Sequence, residues 1–183
     1  RDFRDRLQLV NNVTAYRGYL FSVGDAPNVE RAWGEMVSGA AFDLMGINPE
    51  AGRFFSLDER DDAQNAHAVI VISHDYWKSH YGMNRSAVGS TLRVNRTPLT
   101  VIGVAPEGFH SLHAGLEYSF WVPLTMYGQM THTGTWMLKD RNTRNFMLLA
   151  RLAAGVSIEH ASSEVQGLAH RMAEADADSN LGI

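Results

Sequence analysis

Eight histidines in a sequence of 183 residues raise a metal site as the first chemistry to weigh. His110 and His113 stand three apart, and His74 and His80 flank Trp77. A metal centre needs two such ligands on one rigid element, with a third histidine or a carboxylate converging on them. His110 and His113 fall in a stretch read as loop, and no H-E-x-x-H spacing occurs. These residues therefore read as surface or packing histidines. Ser38, beside Gly39, and Ser111 are the serines that invite a hydrolase reading. Neither lies in a G-x-S-x-G elbow, and no His and Asp can be paired with them by spacing. Asp58, Glu59, Asp61 and Asp62 form a run of carboxylates, which reads as a solvated face. No phosphate-binding loop is present.

Two further motifs carry weaker chemistry. Asn84-Arg85-Ser86 and Asn95-Arg96-Thr97 fit the glycosylation sequon, but Asn95 falls on an expected hairpin turn, where asparagine has a backbone reason to be. The methionine and aromatic residues from Trp121 to Trp136 divide into a core strand and, from Met126 to Met137, a stretch able to present an interaction surface.

The elements that would position these residues are bounded by composition. With 45% hydrophobic residues the chain can bury a core as one domain or as two small lobes. Sixteen basic against twenty acidic residues give a net charge of -4, without the basic footprint of a nucleic-acid partner. The absence of cysteine excludes disulfides, thiolate metal sites and a cysteine nucleophile, but does not fix the compartment. No apolar run reaches the ~20 residues of a membrane helix. There is no signal peptide and the chain starts at Arg1, which reads as a fragment excised from a longer protein.

The central stretch is residues 68–106. Ala68 to Ile72 reads as a strand buried on both faces. Ser73 is an N-cap for a short helix from His74 to Tyr81, which Gly82 stops. Leu92 and Val94 then alternate with polar residues, Asn95-Arg96 make a turn, and Leu99 to Val104 returns as a second strand before Pro106.

Before this unit, Phe3, Leu7 and Val10 predict a short amphipathic helix over residues 1–12, ended by Asn11-Asn12. Val13 to Val23 and Arg31 to Ser38 read as strands, the second with Trp33, Glu35 and Val37 facing one way and Gly34 and Met36 the other. Ser38 to Leu44 reads as a helical turn with Phe42 and Leu44 tucked under the sheet. Gly46 to Phe55 reads as loop, its glycines serving positive φ or close backbone approach. Ser56-Leu57-Asp58-Glu59 has the spacing of a capping box.

After the unit, residues 107–118 are irregular and Ser119 to Pro123 is a short apolar strand. Met126 to Arg144 reads as loop with some helix, and Phe146 to Leu152 as a strand. Ser157 caps the clearest amphipathic helix, with Ile158, Ala161, Val165, Leu168 and Met172 along one side and Glu159 in its first turn, fading over residues 173–180.

Several of these stretches, in order, carry a family resemblance. Val37-Ser38-Gly39-Ala40-Ala41-Phe42-Asp43-Leu44-Met45-Gly46-Ile47 followed by Gly52-Arg53-Phe54-Phe55 resembles the "VSGxxFxxLGxxPxxGRxF" signature of the MacB-type periplasmic core domain. That domain is the extracytoplasmic module of ABC transporter permeases of the MacB/FtsX-like class. The resemblance continues through Val69-Ile70-Val71-Ile72-Ser73 with Trp77, and Val88-Gly89 with Leu92. Val101-Ile102-Gly103-Val104-Ala105-Pro106 with Gly108-Phe109 keeps the pattern, as do Trp121-Val122-Pro123-Leu124 and Arg151-Leu152 with Gly155-Val156. It spans about Leu7 to Asn180, and Gly108-Phe109 and Trp121-Val122-Pro123-Leu124 are similar in style to the large orphan permeases of this superfamily, less so to the macrolide exporter.

The resemblance implies an α+β, two-lobed periplasmic core domain. A porter-like α/β lobe would come from both chain ends, residues 1–35 and 145–183, and an inserted mixed α+β lobe from residues 36–144. The outer strands of the porter-like lobe are expected to lie outside the sequence. The implied function is to couple ATP hydrolysis on the cytoplasmic side to substrate export or to mechanotransmission in the envelope, without catalysis and without a cofactor or metal.

The implied partners are the membrane helices of the parent permease, a cytoplasmic ABC ATPase acting indirectly, and a second permease copy or a periplasmic adaptor protein. No nucleic acid is among them. The implied place is the extracytoplasmic face of the bacterial inner membrane, anchored by the full-length protein. Gly46, Gly52, Arg53, Gly89, Gly103, Pro106 and Pro123 read as turn and packing determinants, with the Arg53 guanidinium bonding loop carbonyls. No catalytic, cofactor-binding or metal residue carries over. Two other classes stand beside this one. A stand-alone periplasmic module for a peptide, lipid or lipoprotein would need an apolar groove of ligand size. A histidine metalloenzyme would need three converging side chains.

Overall fold

Aromatic and β-branched residues make Val10–Val23 a single 14-residue strand, β1, to which the rest of the sheet attaches. The computed structural model describes residues 6–38, 41–56, 67–113, 115–132 and 146–180. The helix expected over residues 1–12 lies partly outside these. Its last residues are not helical: Val10 and Asn11 pair with Leu152 and Arg151 of β8 (Met147–Leu152). Asn12 adopts φ 49° and the pairing register shifts between Asn11 and Thr14. The asparagine pair is thus a bulge within a strand, where the sequence alone suggested a helix end.

The second half of β1 runs antiparallel to β2 (Glu30–Val37), with Leu20 opposite Trp33 and Gly18 opposite Glu35. β2 lies parallel to β7 (Phe120–Pro123), which is antiparallel to β4 (Val69–Ile72). β4 is parallel to β6 (Thr97–Val104), and β6 forms the expected hairpin with β5 (Thr91–Val94). Asn95 and Arg96 both take positive φ in that hairpin, as a two-residue primed turn requires. β5 meets β1 at Val23 and Val94, so the path β1-β2-β7-β4-β6-β5 returns to its start. The stretch expected as loop before Phe55 contains one short strand, β3 (Ala51–Gly52), pairing with Val104 and Gly103 of β6.

Both faces of this circuit are covered. Ile70 and Ile72 belong to one core with Phe21, Val94, Val101 and Phe120, while Val71 belongs to the other with Val37, Phe42 and Trp121. Three of the four β4 residues, Ile70, Val71 and Ile72, are fully buried, as a strand between two layers must be. Complete burial of such side chains contributes about 1.5–3 kcal/mol each. The first core also takes Tyr76 and Trp77 of α2 (His74–Tyr81), whose Ser73 N-cap accepts from Tyr76 N and whose Gly82 cap is left-handed.

Phe42 and Leu44 of α1 (Ala41–Met45) are buried as expected. A 3₁₀ turn at Leu124–Met126 leads into α3 (Tyr127–Thr131). The last helix, α4 (Ile158–Asn180), buries Ala161 and Leu168, but Ile158 at its start is 65% exposed. The capping-box helix expected after Ser56, and the later part of the Met126 to Arg144 stretch, lie outside the described residues.

Candidate functional site

The signature segment folds into an aromatic knot. Phe42 stacks on Phe54 at a centroid distance of 4.0 Å, packs at a tilt against Phe55 and makes edge contacts with Phe109 and Trp121. Gly52, at φ 69°, brings β3 so close to β6 that a Cβ there would lie 2.2 Å from the Ile102 carbonyl oxygen. Arg53 Nη1 donates to the Phe54 carbonyl at 3.1 Å. These residues fix backbone and packing.

Beside the knot lies a fully buried carboxylate. Glu35 Oε2 accepts from Trp121 Nε1 at 2.9 Å and from Leu112 N at 3.2 Å. Ser111 Oγ donates to Oε1 at 3.4 Å. Burial raises the Glu35 carboxyl above the ordinary carboxylate value, against the downward pull of these three bonds. Tyr16 and Tyr118 are raised too, first by burial and then by the Glu35 charge. The irregular stretch from His110 to Tyr118 is thereby tied to β2 and β7. The signal for this nest was a single carboxylate alternating with Trp33 and Val37 on an apolar strand face.

The histidines take separate positions. His74 Nδ1 pairs with Glu50 at 2.6 Å and His80 Nε2 with Glu30 at 3.0 Å. His113 Nδ1 is buried without a hydrogen-bond partner. Among the described residues no three His, Asp or Glu side chains form a metal-binding group. Ser38 Oγ accepts from Ala15 N, and Ser111 Oγ accepts from His113 N while serving Glu35. The carboxylate run at Asp58, Glu59, Asp61 and Asp62 lies outside the described residues. Asn84 caps a 3₁₀ turn by accepting from Ser86 N. Asn95 accepts from Ser22 N at 2.9 Å and donates to the Met130 carbonyl at 2.6 Å, so its amide is committed to the fold.

A cleft of about 300 Å³ opens beside β1. Arg17, Tyr19 and Phe21 of β1 line it together with Asn95, Tyr127 and Met130, of which Phe21, Tyr127 and Met130 are buried. The Tyr19 and Tyr127 rings meet nearly edge-on at 6.1 Å, with their hydroxyls 3.4 Å apart. Burial and the Tyr127 hydroxyl raise the Tyr19 pKa strongly, so Tyr19 stays protonated through the physiological range. Sequence reading expected Met126 to Met137 to present a surface, but Met126, Tyr127 and Met130 are buried in the first core; their meeting with β1 depends on chain crossing that no local spacing encodes. Among the described residues no helix is long and apolar enough to cross a membrane.

The sequence matches the family described as MacB-like periplasmic core domain over residues 1–168. A macrolide export ATP-binding/permease protein, MacB of Chlorobium luteolum, is 25% identical over 186 residues, covering 99% of this chain and 26% of that protein. The chain therefore spans about a quarter of that relative's length. Among solved structures, the periplasmic region of MacB from Actinobacillus actinomycetemcomitans superposes with a TM-score of 0.64 at 15% identity, over 94% of this chain and 71% of that one. The extracellular domain of the noncanonic ABC-type transporter YknZ from Gram-positive bacteria gives 0.68 at 16% identity, over 94% and 80%. At these identities the two structures speak for the fold, and they bear out the expected α+β class.

Proposed function

Because the chain belongs to the MacB-like periplasmic core domain family, we propose that it is the extracytoplasmic coupling domain of an ABC transporter permease. The family match across residues 1–168 carries this reading. In it, ATP hydrolysis at a cytoplasmic ATPase is transmitted through the parent's membrane helices, and the domain moves to export a substrate or to pass a mechanical signal into the envelope. A second permease copy or a periplasmic adaptor would receive the movement, and the domain itself performs no chemistry.

Two features support a body that transmits force. The strand circuit is covered on both faces, and close-packed interiors resist deformation. Glu164 of α4 accepts from the backbone N–H groups of Gln8 and Leu9 at 2.8 and 3.0 Å. That clamp sets the segment entering β1 beside the helix that follows β8, as a domain inserted between membrane helices needs. The same proposal divides the chain into a porter-like lobe, residues 1–35 and 145–183, and an inserted lobe, residues 36–144. β2 and β7, parallel over Gly34 to Val37 and Phe120 to Pro123, would then be the seam between them.

The test is the reading frame of the parent gene on either side of Arg1 and Ile183. One span of ~20 apolar residues upstream and three downstream are expected. A cleavable signal peptide with a stop codon soon after Ile183 would overturn the proposal in favour of a stand-alone periplasmic binding module.

A further inference from the structure

We propose that the outer edge of β2, from Glu30 to Trp33, docks an extended segment of a partner protein, which adds there as a further strand with a carboxylate opposite Arg31 and apolar side chains beside Val29 and Trp33. The backbone decides which groups are free. Ser22 of β1 gives its N–H to Asn95 Oδ1, and its carbonyl accepts from Asn95 N, so neither points at its β2 neighbour Arg31. Ser22 and Arg31 are therefore a non-hydrogen-bonded pair, and the Arg31 N–H and C=O point away from β1. Two residues on, the Trp33 carbonyl points the same way and accepts from Ser119 N, where β7 begins to pair. The β7 register starts at Gly34, so among the described residues no strand lies beside Glu30 to Ala32 on this edge. Nor, among the described residues, does the outward N–H or C=O of Arg31 find a partner.

The side chains choose what is added. An antiparallel ribbon with one face on the core keeps polar residues on the other. Tyr19, Phe21 and Ala32 pack on the first core, yet Leu20, Val29 and Trp33 stand outward, 42%, 53% and 52% exposed. Ser22 and Arg31 lie between them on the same face. The Tyr118 ring meets Trp33 nearly edge-on at 6.4 Å, which fixes the indole as an anchor. Strand addition takes its affinity from main-chain bonds and its selectivity from alternate side chains. Here the alternate positions read apolar, cationic, apolar. Among the described residues no carboxylate pairs with Arg31; the ion pairs run His74 to Glu50, His80 to Glu30, Arg93 to Asp25 and His170 to Glu174. A carboxylate directly opposite Arg31 on the added strand would pair with it, and a lysine there would meet a like charge. Nothing in this depends on the transport reading, and either can fail without the other.

The experiment titrates the isotope-labelled 183-residue chain with the blocked pentapeptide Val-Thr-Glu-Thr-Val. Backbone amide shifts should saturate and centre on Arg31 and Trp33, and the Arg31 amide should gain protection from exchange. Methylating the glutamate nitrogen, which faces β2 in this register, should abolish binding, whereas methylating the threonine nitrogens, which face solvent, should leave the Kd unchanged. Lysine in place of glutamate should raise the Kd about fivefold. Arg31→Pro removes the outward N–H without touching the ladder to β1, so it should abolish binding at an unchanged unfolding midpoint. Trp33→Thr keeps a strand-forming residue and loses the anchor; it should raise the Kd about fivefold and serves as the readout where the proline variant loses its fold. No saturable shift, equal losses with either methylation pattern, or shifts centred away from β2 would overturn the proposal. Self-association through Arg31 without peptide would also overturn it, giving the edge to a second copy of the chain.

Discussion

Glu35 and Trp121 meet across the parallel strands β2 and β7 with both side chains completely buried, the indole Nε1 donating to the carboxylate at 2.9 Å. Glu35→Ala strands that donor together with Leu112 N, and should destabilise the chain by about 2–4 kcal/mol in denaturant unfolding. Glu35→Gln can turn its amide oxygen to the same two donors and its NH₂ to Ser111 Oγ, so it should stay within about 1 kcal/mol of the parent.

The same pair of proteins tests the protonation of the nest. Burial raises the Glu35 carboxyl above the ordinary 4.5, so the folded chain binds its proton more tightly than the unfolded chain does. The protonated form's contribution is complete below 4.5 and is lost as pH rises through the folded value. Glu35→Gln cannot ionise and lacks this term. Across that window wild type should lose stability relative to Glu35→Gln, with a level difference on the acid side. Parallel stability curves for the two would contradict a raised carboxyl.

Gly52 and Gly103 lie opposite each other where β3 joins β6. A Cβ at Gly103 would sit 2.1 Å from the Arg53 carbonyl oxygen, and one at Gly52 2.2 Å from that of Ile102. Gly103→Ala should cost about 1–3 kcal/mol by forcing the strands apart. Gly52→Ala adds strain at φ 69° and should cost more. Gly46 is the control: φ 68° with nothing within 4 Å of a Cβ, so Gly46→Ala should cost only the conformational term, about 1–2 kcal/mol. Equal effects at Gly46 and Gly52 in thermal unfolding would remove the close approach as the cause.

Local periodicity and caps made much of the fold legible. Ser73, Gly82 and the Asn95-Arg96 turn each act on backbone within five residues, and each stands where the sequence puts it. The unbroken apolar run at Ile70 to Ile72 reported its two-sided burial directly. Pairing between distant segments was the illegible part. Asn11-Asn12 carries a real irregularity, but only β8, well over a hundred residues later, decides that it is a bulge. The aromatic residues of the signature announced a cluster, whereas the Glu35 nest and the cleft join residues far apart in sequence. Arg151 illustrates the limit: it flanks an apolar run in sequence, and in the fold its guanidinium donates to the Leu44 carbonyl of α1.

Phe42 is the hub of the aromatic knot and is only 4% exposed. Phe42→Ala removes contacts to four other rings and should cost about 3–5 kcal/mol. Phe42→Leu keeps most of the volume and should cost less than about 1.5 kcal/mol. Near-ultraviolet circular dichroism should change in Phe42→Ala, because Trp121 loses an edge contact at 5.9 Å. An unaltered aromatic spectrum would mean the knot closes over the deletion.

Glu164 ties α4 to the entry of β1 through one carboxylate and two consecutive N–H groups. The Gln8 bond is exposed and the Leu9 bond part-buried, so solvent weakens the pair, and Glu164→Ala should cost only about 1 kcal/mol of global stability. The local consequence should be larger. Leu9 also accepts from Ala153 N, so the clamp joins β1, β8 and α4 at one point. Amide exchange at Gln8 and Leu9 should quicken in Glu164→Ala, while amides in β4, enclosed by both cores, keep their protection. If α4 carries movement from a following membrane helix into the sheet, this clamp is where the force crosses. In the full-length permease Glu164→Ala should then weaken the coupling of ATP hydrolysis to function more than it lowers the unfolding midpoint. Equal losses of coupling and stability would make Glu164 a structural anchor alone.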